Sequence, residues 1–161
     1  LISIDCGAIV DGMYSDHART FLIGEEKNEE KLNLISVAKK ALDIGIENAI
    51  PGNKVGMISN SIENYVLNEG FDVVREYVGH GIGTKLHEPP SVPNFGDKDK
   101  GALLRVGMAI AIEPMVNQGT WETKVLEDNW TVVTKDGKLS THMEDTVLIT
   151  ENGPEVLTRL K

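Results

Sequence analysis

The sequence predicts an α+β protein in which a β-hairpin and two helices precede a multi-stranded sheet. Three observations carry this prediction. Strand-like runs occupy residues 1–24, helical periodicity occupies 25–68, and β-type runs punctuated by Gly and Pro turns dominate from residue 103 onward. Segregated helices and strands favour α+β over a doubly wound parallel sheet. A chain of 161 residues is long enough for one domain with a real core.

Turn and helix signals place the individual elements. Asp11-Gly12 is a strong hairpin turn between strands at 1–10 and 13–23. Apolar residues recur every three or four positions from 25 to 50, which predicts an amphipathic helix that Pro51-Gly52 ends. A second helix is predicted at 55–68, followed by a Gly-, His- and Pro-rich loop. Further strands are predicted at 106–116, 123–126, 130–134 and 146–150.

Composition restricts the classes of function. The net charge of −9 argues against nucleic-acid binding, because that function usually requires a basic patch. No apolar run reaches the roughly 18 residues of a membrane span. The single cysteine, Cys6, excludes an intramolecular disulfide, fits a reducing compartment and is expected to be a small buried side chain. A solvated acidic surface is expected at Glu25, Glu26, Glu29 and Glu30.

Two aspartates in the hairpin form the first candidate site. If Asp11-Gly12 are the central turn residues, Asp5 opposes Ala18, and Asp16 is the diagonal neighbour of Asp5 on the same face. Two carboxylates aimed at one point repel each other unless a proton or a cation lies between them. The pair therefore indicates a divalent metal site, with a plain surface or turn role for one aspartate as the alternative.

Two histidines in the Gly- and Pro-rich loop are further candidates. His80 lies between glycines in the segment 79–83, where a ligand can approach the backbone closely, and His87 follows seven residues later. A lone histidine is more often structural than functional. Two in one such loop favour chemistry, since neutral imidazole is a common metal ligand and proton carrier.

Two glutamates adjoin apolar strands. Glu113 interrupts the apolar run that precedes Pro114, and Glu144 leads into the run at 147–149. A buried carboxylate must be paired, protonated or metal-bound. A structural ion pair with Arg19 or Arg105 remains open for either glutamate, but five candidates of suitable ligand type favour a metal site.

In their order along the chain, these residues resemble the methionine aminopeptidases. The resemblance covers essentially the whole chain and rests on the combination of its motifs, since each one alone is weak. The motifs are Ile4-Asp5, Asp16, Gly79-His80-Gly81-Ile82-Gly83, His87-Glu88-Pro89, Ile112-Glu113-Pro114-Met115 and Met143-Glu144-Asp145-Thr146. The related Xaa-Pro aminopeptidases and prolidases share the five-ligand scheme. Only 32 residues separate His80 from Glu113, which leaves no room for the long insertion of type II members and favours type I.

The resemblance implies a pita-bread (creatinase/aminopeptidase-like) fold, with a curved mixed or antiparallel sheet and helices on the outside. Residues 1–161 would form a single catalytic domain that lacks the N-terminal part of the fold. Residues 1–24 would end the first pseudo-symmetric half, and 25–161 would be the second half. The family's upstream catalytic histidine has no counterpart, so the metal site is expected to be complete and the substrate pocket incomplete.

The resemblance also implies roles for individual residues. Two divalent ions (Co, Mn, Fe or Zn) would be held by five ligands, namely Asp5, Asp16, His80, Glu113 and Glu144. Glu113 would also be the general base, and His87 would hydrogen-bond the substrate and stabilise the tetrahedral intermediate. Trp130 would wall the methionine pocket, with plain core packing as its alternative.

Two histidines depart from the family pattern. His17 stands where a small hydroxyl residue is usual, and it either orients Asp16 or lies on the strand surface. His142 stands where an amide is common, and near a metal it would add a ligand or a proton donor.

The function implied by the resemblance is dinuclear metal-dependent removal of methionine from the N-terminus of nascent proteins and short peptides. The alternatives are an Xaa-Pro aminopeptidase or prolidase-like hydrolase, and a non-enzymatic pita-bread binding protein. The implied setting is a cytoplasmic monomer close to the ribosome, with no nucleic-acid or membrane partner.

Overall fold

The computed structural model describes residues 1–24 and 28–160. Two helices, α1 (Glu29–Glu47) and α2 (Val55–Asn68), lie in the described part of the chain. The strands found there are β1 (Ile2–Asp5), β2 (Ala8–Val10), β3 (Met13–Ser15), β4 (His17–Phe21), β5 (Asp72–Val73), β6 (Gly79–Gly81), β7 (Glu88–Val92), β8 (Ala109–Ile112), β9 (Met115–Asn117), β10 (Thr123–Val125), β11 (Val132–Thr134), β12 (Ser140–His142), β13 (Glu144–Thr150) and β14 (Gly153–Val156).

Both predicted helices are present. The first is shorter than predicted, because Asn28 caps its start through a bond from the Lys31 amide and Asn48 caps its end. Residues 25–27 of the predicted helix lie outside the described residues. The second helix has the predicted bounds, 55–68. Neither described helix is long and apolar enough to cross a membrane.

The main sheet is antiparallel throughout its described pairs, with the order β1-β4-β13-β8-β6-β7 and β14 added beside β13. The predicted strand at 106–116 is instead two strands, because Glu113-Pro114 interrupts it and proline has no N–H to donate to a ladder. A smaller sheet, β12-β9-β5, and the two hairpins β2-β3 and β10-β11 surround the main sheet.

The hairpin at the N-terminus has the predicted turn. Asp11 and Gly12 adopt φ angles of 51° and 80°, which is the left-handed conformation that a tight hairpin turn requires. Val10 pairs with Met13, and the same register continues into the main sheet, where Asp5 pairs with Ala18. The predicted register is therefore confirmed.

The hydrophobic core lies between one face of the main sheet and the two helices. Ile110, Ile112 and Val147 project from the sheet into a cluster with α1 and α2, and each is fully buried. Gly45 of α1 allows close packing, because a Cβ at that position would lie 2.7 Å from Ile62 of α2. The opposite face of the sheet is therefore free for polar side chains.

Two surface predictions have clear outcomes. Cys6 is exposed, so its prediction as a small buried residue is wrong. It follows Asp5 in a hairpin whose strands are exposed along β1 and β2. Glu29 and Glu30 are exposed as predicted, whereas Glu25 and Glu26 lie outside the described residues.

Candidate metal centre

Strand register brings the predicted ligands onto the sheet face opposite the helices. Residues paired across antiparallel strands project from the same face. Ala18 pairs with Asp5 on one side and with Glu144 on the other, so the three share a face. Asp16 lies two residues before Ala18 and projects in the same direction. Ala18 is small and fully buried, which leaves room for the carboxylates around it.

The same register places Glu113 and His80 on that face. Asp145 pairs with Ile112, so the next step of the ladder sets Glu113 opposite Glu144. His80 pairs with Ala111, two residues before Glu113. The strand order β1-β4-β13-β8-β6 therefore converts five positions that are distant in sequence into one row across the sheet.

Three of the five side chains form the tightest group. One ligand atom from each of Asp16, His80 and Glu144 lies within 4.8 Å of the other two. His80 Nε2 is 4.0 Å from Asp16 Oδ2 and 3.6 Å from Glu113 Oε1. Asp5 lies close enough to Asp16 for its negative charge to raise the pKa of Asp16. All five predicted ligands are thus adjacent, with Asp5 and Glu113 at the edges of the central three.

The glycines beside His80 serve the sheet rather than leaving open space for a ligand. A Cβ at Gly79 would lie 2.3 Å from the carbonyl oxygen of Ala111, and one at Gly81 would lie 2.2 Å from that of Pro89. Only glycine permits the neighbouring backbones to approach so closely. The two glycines therefore fix how far the His80 ring reaches across the sheet.

Hydrogen bonding selects the tautomer of His80. Nδ1 lies 2.9 Å from the carbonyl oxygen of Gly81, which can only accept, so Nδ1 carries the proton. The lone pair is then on Nε2, the nitrogen that faces Asp16 and Glu113. Metal-binding histidines are commonly oriented in this way by a backbone carbonyl.

Among the described residues, no Arg or Lys side chain forms an ion pair with the carboxylates of Asp16, Glu113 or Glu144. Burial, reinforced by the charges of Glu113, Asp16 and Asp5, raises the pKa of Glu144 to about 9. Burial and the neighbouring Asp5 also raise the pKa of Asp16. The Oε1 atom of Glu144 is buried and has no hydrogen-bond partner. A buried carboxylate oxygen without a partner is unfavourable, and a cation would satisfy it.

The structural ion pairs that the sequence left open do not form. Arg19 donates to the backbone carbonyl of Glu144 at 2.5 Å and to the side chain of Asp145, not to the Glu144 carboxylate. In the described part of the chain, neither Arg19 nor Arg105 forms an ion pair with Glu113 or Glu144. The oxygen-rich donor set with one imidazole therefore fits a divalent metal such as Mn, Fe, Co or Zn.

The candidate centre opens into a cavity of about 760 Å³. Its walls include Asp5, His80, His87 and Glu113 together with strands of the β10-β11 hairpin. The rings of His80 and His87 meet edge to face, with centroids 4.3 Å apart. Both predicted loop histidines thus reach one cavity, which is large enough for several residues of a peptide.

Trp130 does not reach this cavity. Its side chain is 87% exposed at the turn between β10 and β11, and it is absent from the cavity walls in the described residues. The alternative of plain core packing is therefore wrong, and its role in a methionine pocket stays a prediction.

Asp145 is the supporting residue that sequence reasoning missed. It is completely buried and accepts hydrogen bonds or ion pairs from four side chains, namely His17, Arg19, Thr158 and Arg159. His17 thus contacts Asp145 at 3.2 Å through its ring, while its backbone N–H donates to Asp16. The sequence does show two adjacent acidic residues at 144–145. Because consecutive strand residues face opposite sides of a sheet, only one of the two can face the metal centre, and the other must be compensated on the opposite side.

The sequence matches the description "Metallopeptidase family M24" over residues 1–151. The chain belongs to this family. It is 53% identical over 161 residues to a methionine aminopeptidase of Clostridium perfringens and 49% identical over 160 residues to methionine aminopeptidase 1 of Bacillus subtilis. The two matches cover 100% and 99% of this chain but 64% of each relative. The chain therefore spans a little under two thirds of the length of these relatives.

Solved structures of the M24 family share the fold. The crystal structure of a Thermotoga maritima methionine aminopeptidase matches with a TM-score of 0.93 at 46% identity, over 98% of this chain and 63% of that one. A Pyrococcus horikoshii prolidase matches with a TM-score of 0.73 at 28% identity, over 99% of this chain and 40% of that one. The predicted pita-bread α+β fold is confirmed, and the prolidase-type relatives are more distant.

Proposed function

We propose that this protein is a metal-dependent aminopeptidase that removes methionine from the N-terminus of new proteins and short peptides. The observation that carries the proposal is a group of buried carboxylates, on Asp16, Glu113 and Glu144, for which the described residues provide no Arg or Lys ion pair. They lie beside a histidine whose Nε2 lone pair faces them, at the wall of a large cavity. Membership of the M24 metallopeptidases supports metal-dependent peptide hydrolysis, and the names of the most similar relatives favour methionine as the residue removed.

The proposed ligands are Asp5, Asp16, His80, Glu113 and Glu144. Four carboxylates can balance the charge of two divalent ions, which supports a dinuclear site. When bound, such ions polarise the scissile carbonyl and lower the pKa of water. Their identity among Mn, Fe, Co and Zn depends on availability as well as affinity.

Glu113 is the proposed general base. Its carboxylate is largely buried but forms part of the cavity wall, so it can take a proton from an attacking water in the cavity. The water oxygen then bonds to the carbonyl carbon, the C–N bond breaks, and the proton passes from Glu113 to the departing amine nitrogen. His87 is exposed in the same cavity and can donate a hydrogen bond to the carbonyl oxygen as it becomes negative.

The substrate and cellular setting complete the proposal. Residues 1–161 would form one catalytic domain, in which 1–24 end the first pseudo-symmetric half. Trp130 would contact the methionine side chain, which requires that its exposed ring be covered by substrate or by further polypeptide. We propose a cytoplasmic monomer that meets its substrates near the ribosome.

Substrate choice is tested by comparing the peptide Met-Ala-Ser with an Ala-Pro peptide, using the complete polypeptide loaded with Mn²⁺ or Co²⁺. We expect cleavage of Met-Ala-Ser and little turnover of Ala-Pro. Preference for the proline substrate would instead support the Xaa-Pro aminopeptidase alternative, for which the prolidase structures provide the precedent in fold.

Metal content and the role of Glu113 are tested separately. Elemental analysis should give two divalent ions per chain after loading, and Glu113→Gln should abolish turnover while the protein remains folded. A folded protein that retains no divalent ion at any concentration would favour the non-enzymatic binding alternative. Full activity in Glu113→Gln would refute the assignment of the base.

A further inference from the structure

His142 lies in the cavity wall, beside the proposed general base. It is the last residue of β12 and pairs with Met115 of β9, two residues after Glu113. Its Nε2 atom is 3.4 Å from Glu113 Oε2. The other oxygen of the same carboxylate, Oε1, is 3.6 Å from His80 Nε2. The Glu113 carboxylate is thus located between two imidazole rings, each nearest to a different oxygen.

The backbone of His142 is held firmly. The hydroxyl of Thr20 donates to the His142 carbonyl at 2.9 Å and accepts from the His142 amide at 2.9 Å. Ser3 completes the hydrogen bonding of that hydroxyl at 2.8 Å. Thr20 is itself buried, so these bonds are shielded from water. The position from which the His142 ring projects is therefore fixed, and the ring can reach few partners.

The Nε2 atom of His142 is buried and has no hydrogen-bond partner. Its separation from Glu113 Oε2 is a few tenths of an ångström beyond the usual limit of about 3.2 Å for such a bond. An unsatisfied buried polar atom is unfavourable, and catalytic hydrogen bonds are often longer in a free enzyme than in its complexes. A small movement of either side chain would give the nitrogen a partner.

A role as donor to Glu113 explains the contacts better than a role as metal ligand. The contact of His142 is with Oε2 of Glu113, a residue at the edge of the central group of Asp16, His80 and Glu144. The nearest carboxylate oxygen to Nε2 is the one that points away from His80. A neutral imidazole with its proton on Nε2 satisfies this geometry, so no change of charge is required.

We propose that His142 is a positioning residue for Glu113, in which Nε2–H donates to Oε2 and leaves Oε1 directed toward the metal centre. The proposal rests on the proposed function only for its effect on turnover. Its effect on metal binding can be measured without any substrate. At this position a glutamine can also donate a hydrogen bond, which gives a matched variant.

The first experiment measures peptide turnover in His142→Leu and His142→Gln, with thermal melting to verify folding. We expect kcat for Met-Ala-Ser to fall about 10- to 100-fold in the leucine variant, with KM changed less than about 3-fold, because removal of a partner that orients a metal ligand has effects of this size. Glutamine should restore kcat to within about 5-fold of the unchanged protein. Failure of glutamine to restore kcat in a protein of normal melting temperature would overturn the proposal.

The second experiment measures Co²⁺ binding by calorimetry in a double-mutant cycle of His142→Leu and Glu113→Gln. If His142 acts through Glu113, its loss should weaken Co²⁺ binding about 10-fold in the parent and less than about 2-fold when residue 113 is glutamine. The visible spectrum of bound Co²⁺ should keep its shape in His142→Leu, since no ligand is lost. Equal weakening in both backgrounds with an altered spectrum would identify His142 as a ligand and refute the positioning role. If the double-mutant cycle shows the expected coupling between His142 and Glu113 in Co²⁺ binding, but no Met peptide is cleaved, the proposed function is refuted and the positioning role is not.

Discussion

Replacing Glu144 by glutamine should stabilise the metal-free protein and abolish its metal binding. Glu144 is 1% exposed, and its pKa rises from the usual 4.5 to about 9 because it is buried among other carboxylates. At neutral pH the native state keeps the proton, whereas the unfolded chain releases it. Ionisation of Glu144 therefore favours unfolding throughout this interval, and a glutamine of similar shape removes that contribution.

The magnitude follows from the two pKa values. The stabilisation that comes from the proton on Glu144 in the native state is fully present below pH 4.5 and is lost as the pH rises toward about 9. At pH 7 the unfolded state gains roughly 1.4 kcal/mol for each of the 2.5 pH units above 4.5, or roughly 3 to 4 kcal/mol. At pH 4.5 the same contribution is less than about 1 kcal/mol. The advantage of Glu144→Gln should therefore shrink sharply on acidification.

Urea unfolding of chelator-treated protein at pH 7 and pH 4.5 provides the measurement. We expect the free energy of unfolding of Glu144→Gln to exceed that of the parent by up to roughly 3 to 4 kcal/mol at pH 7, with near equality at pH 4.5. Saturating Mn²⁺ should reverse the order at pH 7, because only the parent gains from binding. A metal-free variant that is less stable than the parent at pH 7 would refute the reasoning that the buried carboxylate is destabilising.

Three further outcomes follow from the same contacts. Binding of Mn²⁺ at pH 7 should release about one proton, since Glu144 is protonated before binding and must ionise to become a ligand. Calorimetry in buffers of different ionisation enthalpy measures this release, and a binding heat that does not depend on the buffer would contradict it. Asp145→Asn should lower the free energy of unfolding by about 3 to 5 kcal/mol, because Arg19 and Arg159 lose the buried charge that they pair with. Chemical denaturation measures the change, and a loss below about 1 kcal/mol would show that these contacts contribute little. Gly79→Ala should lower the melting temperature and weaken Co²⁺ binding, since the added Cβ would lie 2.3 Å from the carbonyl oxygen of Ala111. An unchanged Co²⁺ affinity in calorimetry would show that the spacing of these strands does not control the position of His80.

The sequence was sufficient for the parts of the fold that depend on local signals. The Asp11-Gly12 turn fixed a register that set Asp5 opposite Ala18, and the structure has that register. The second helix has its predicted bounds because its apolar period and Gly70 both mark them. The strand at 106–116 was predicted as continuous although Glu113 interrupts its apolar run, and the structure shows that Pro114 ends the ladder there.

Long-range features of the site could not be obtained from local patterns. The order of β4, β13 and β8 in the sheet decides that Glu144 faces Glu113 rather than Arg19, and no periodicity within one strand contains that information. The exposure of Cys6 likewise depends on which hairpin face is covered by other elements. The resemblance to known enzymes supplied the grouping of ligands, and strand pairing supplies its physical reason.

The two adjacent acids of β13 give the clearest argument that the site is built to bind a cation. Asp145 and Glu144 are equally buried, but they project from opposite faces of the sheet. Asp145 is surrounded by arginines, a histidine and a hydroxyl, so its charge is compensated within the protein. The Oε1 atom of Glu144 is buried without a hydrogen-bond partner, and the charged groups nearest to Glu144 are other carboxylates. The fold compensates one buried carboxylate completely and leaves its neighbour without a partner, which is the arrangement expected if a divalent metal is the partner of Glu144.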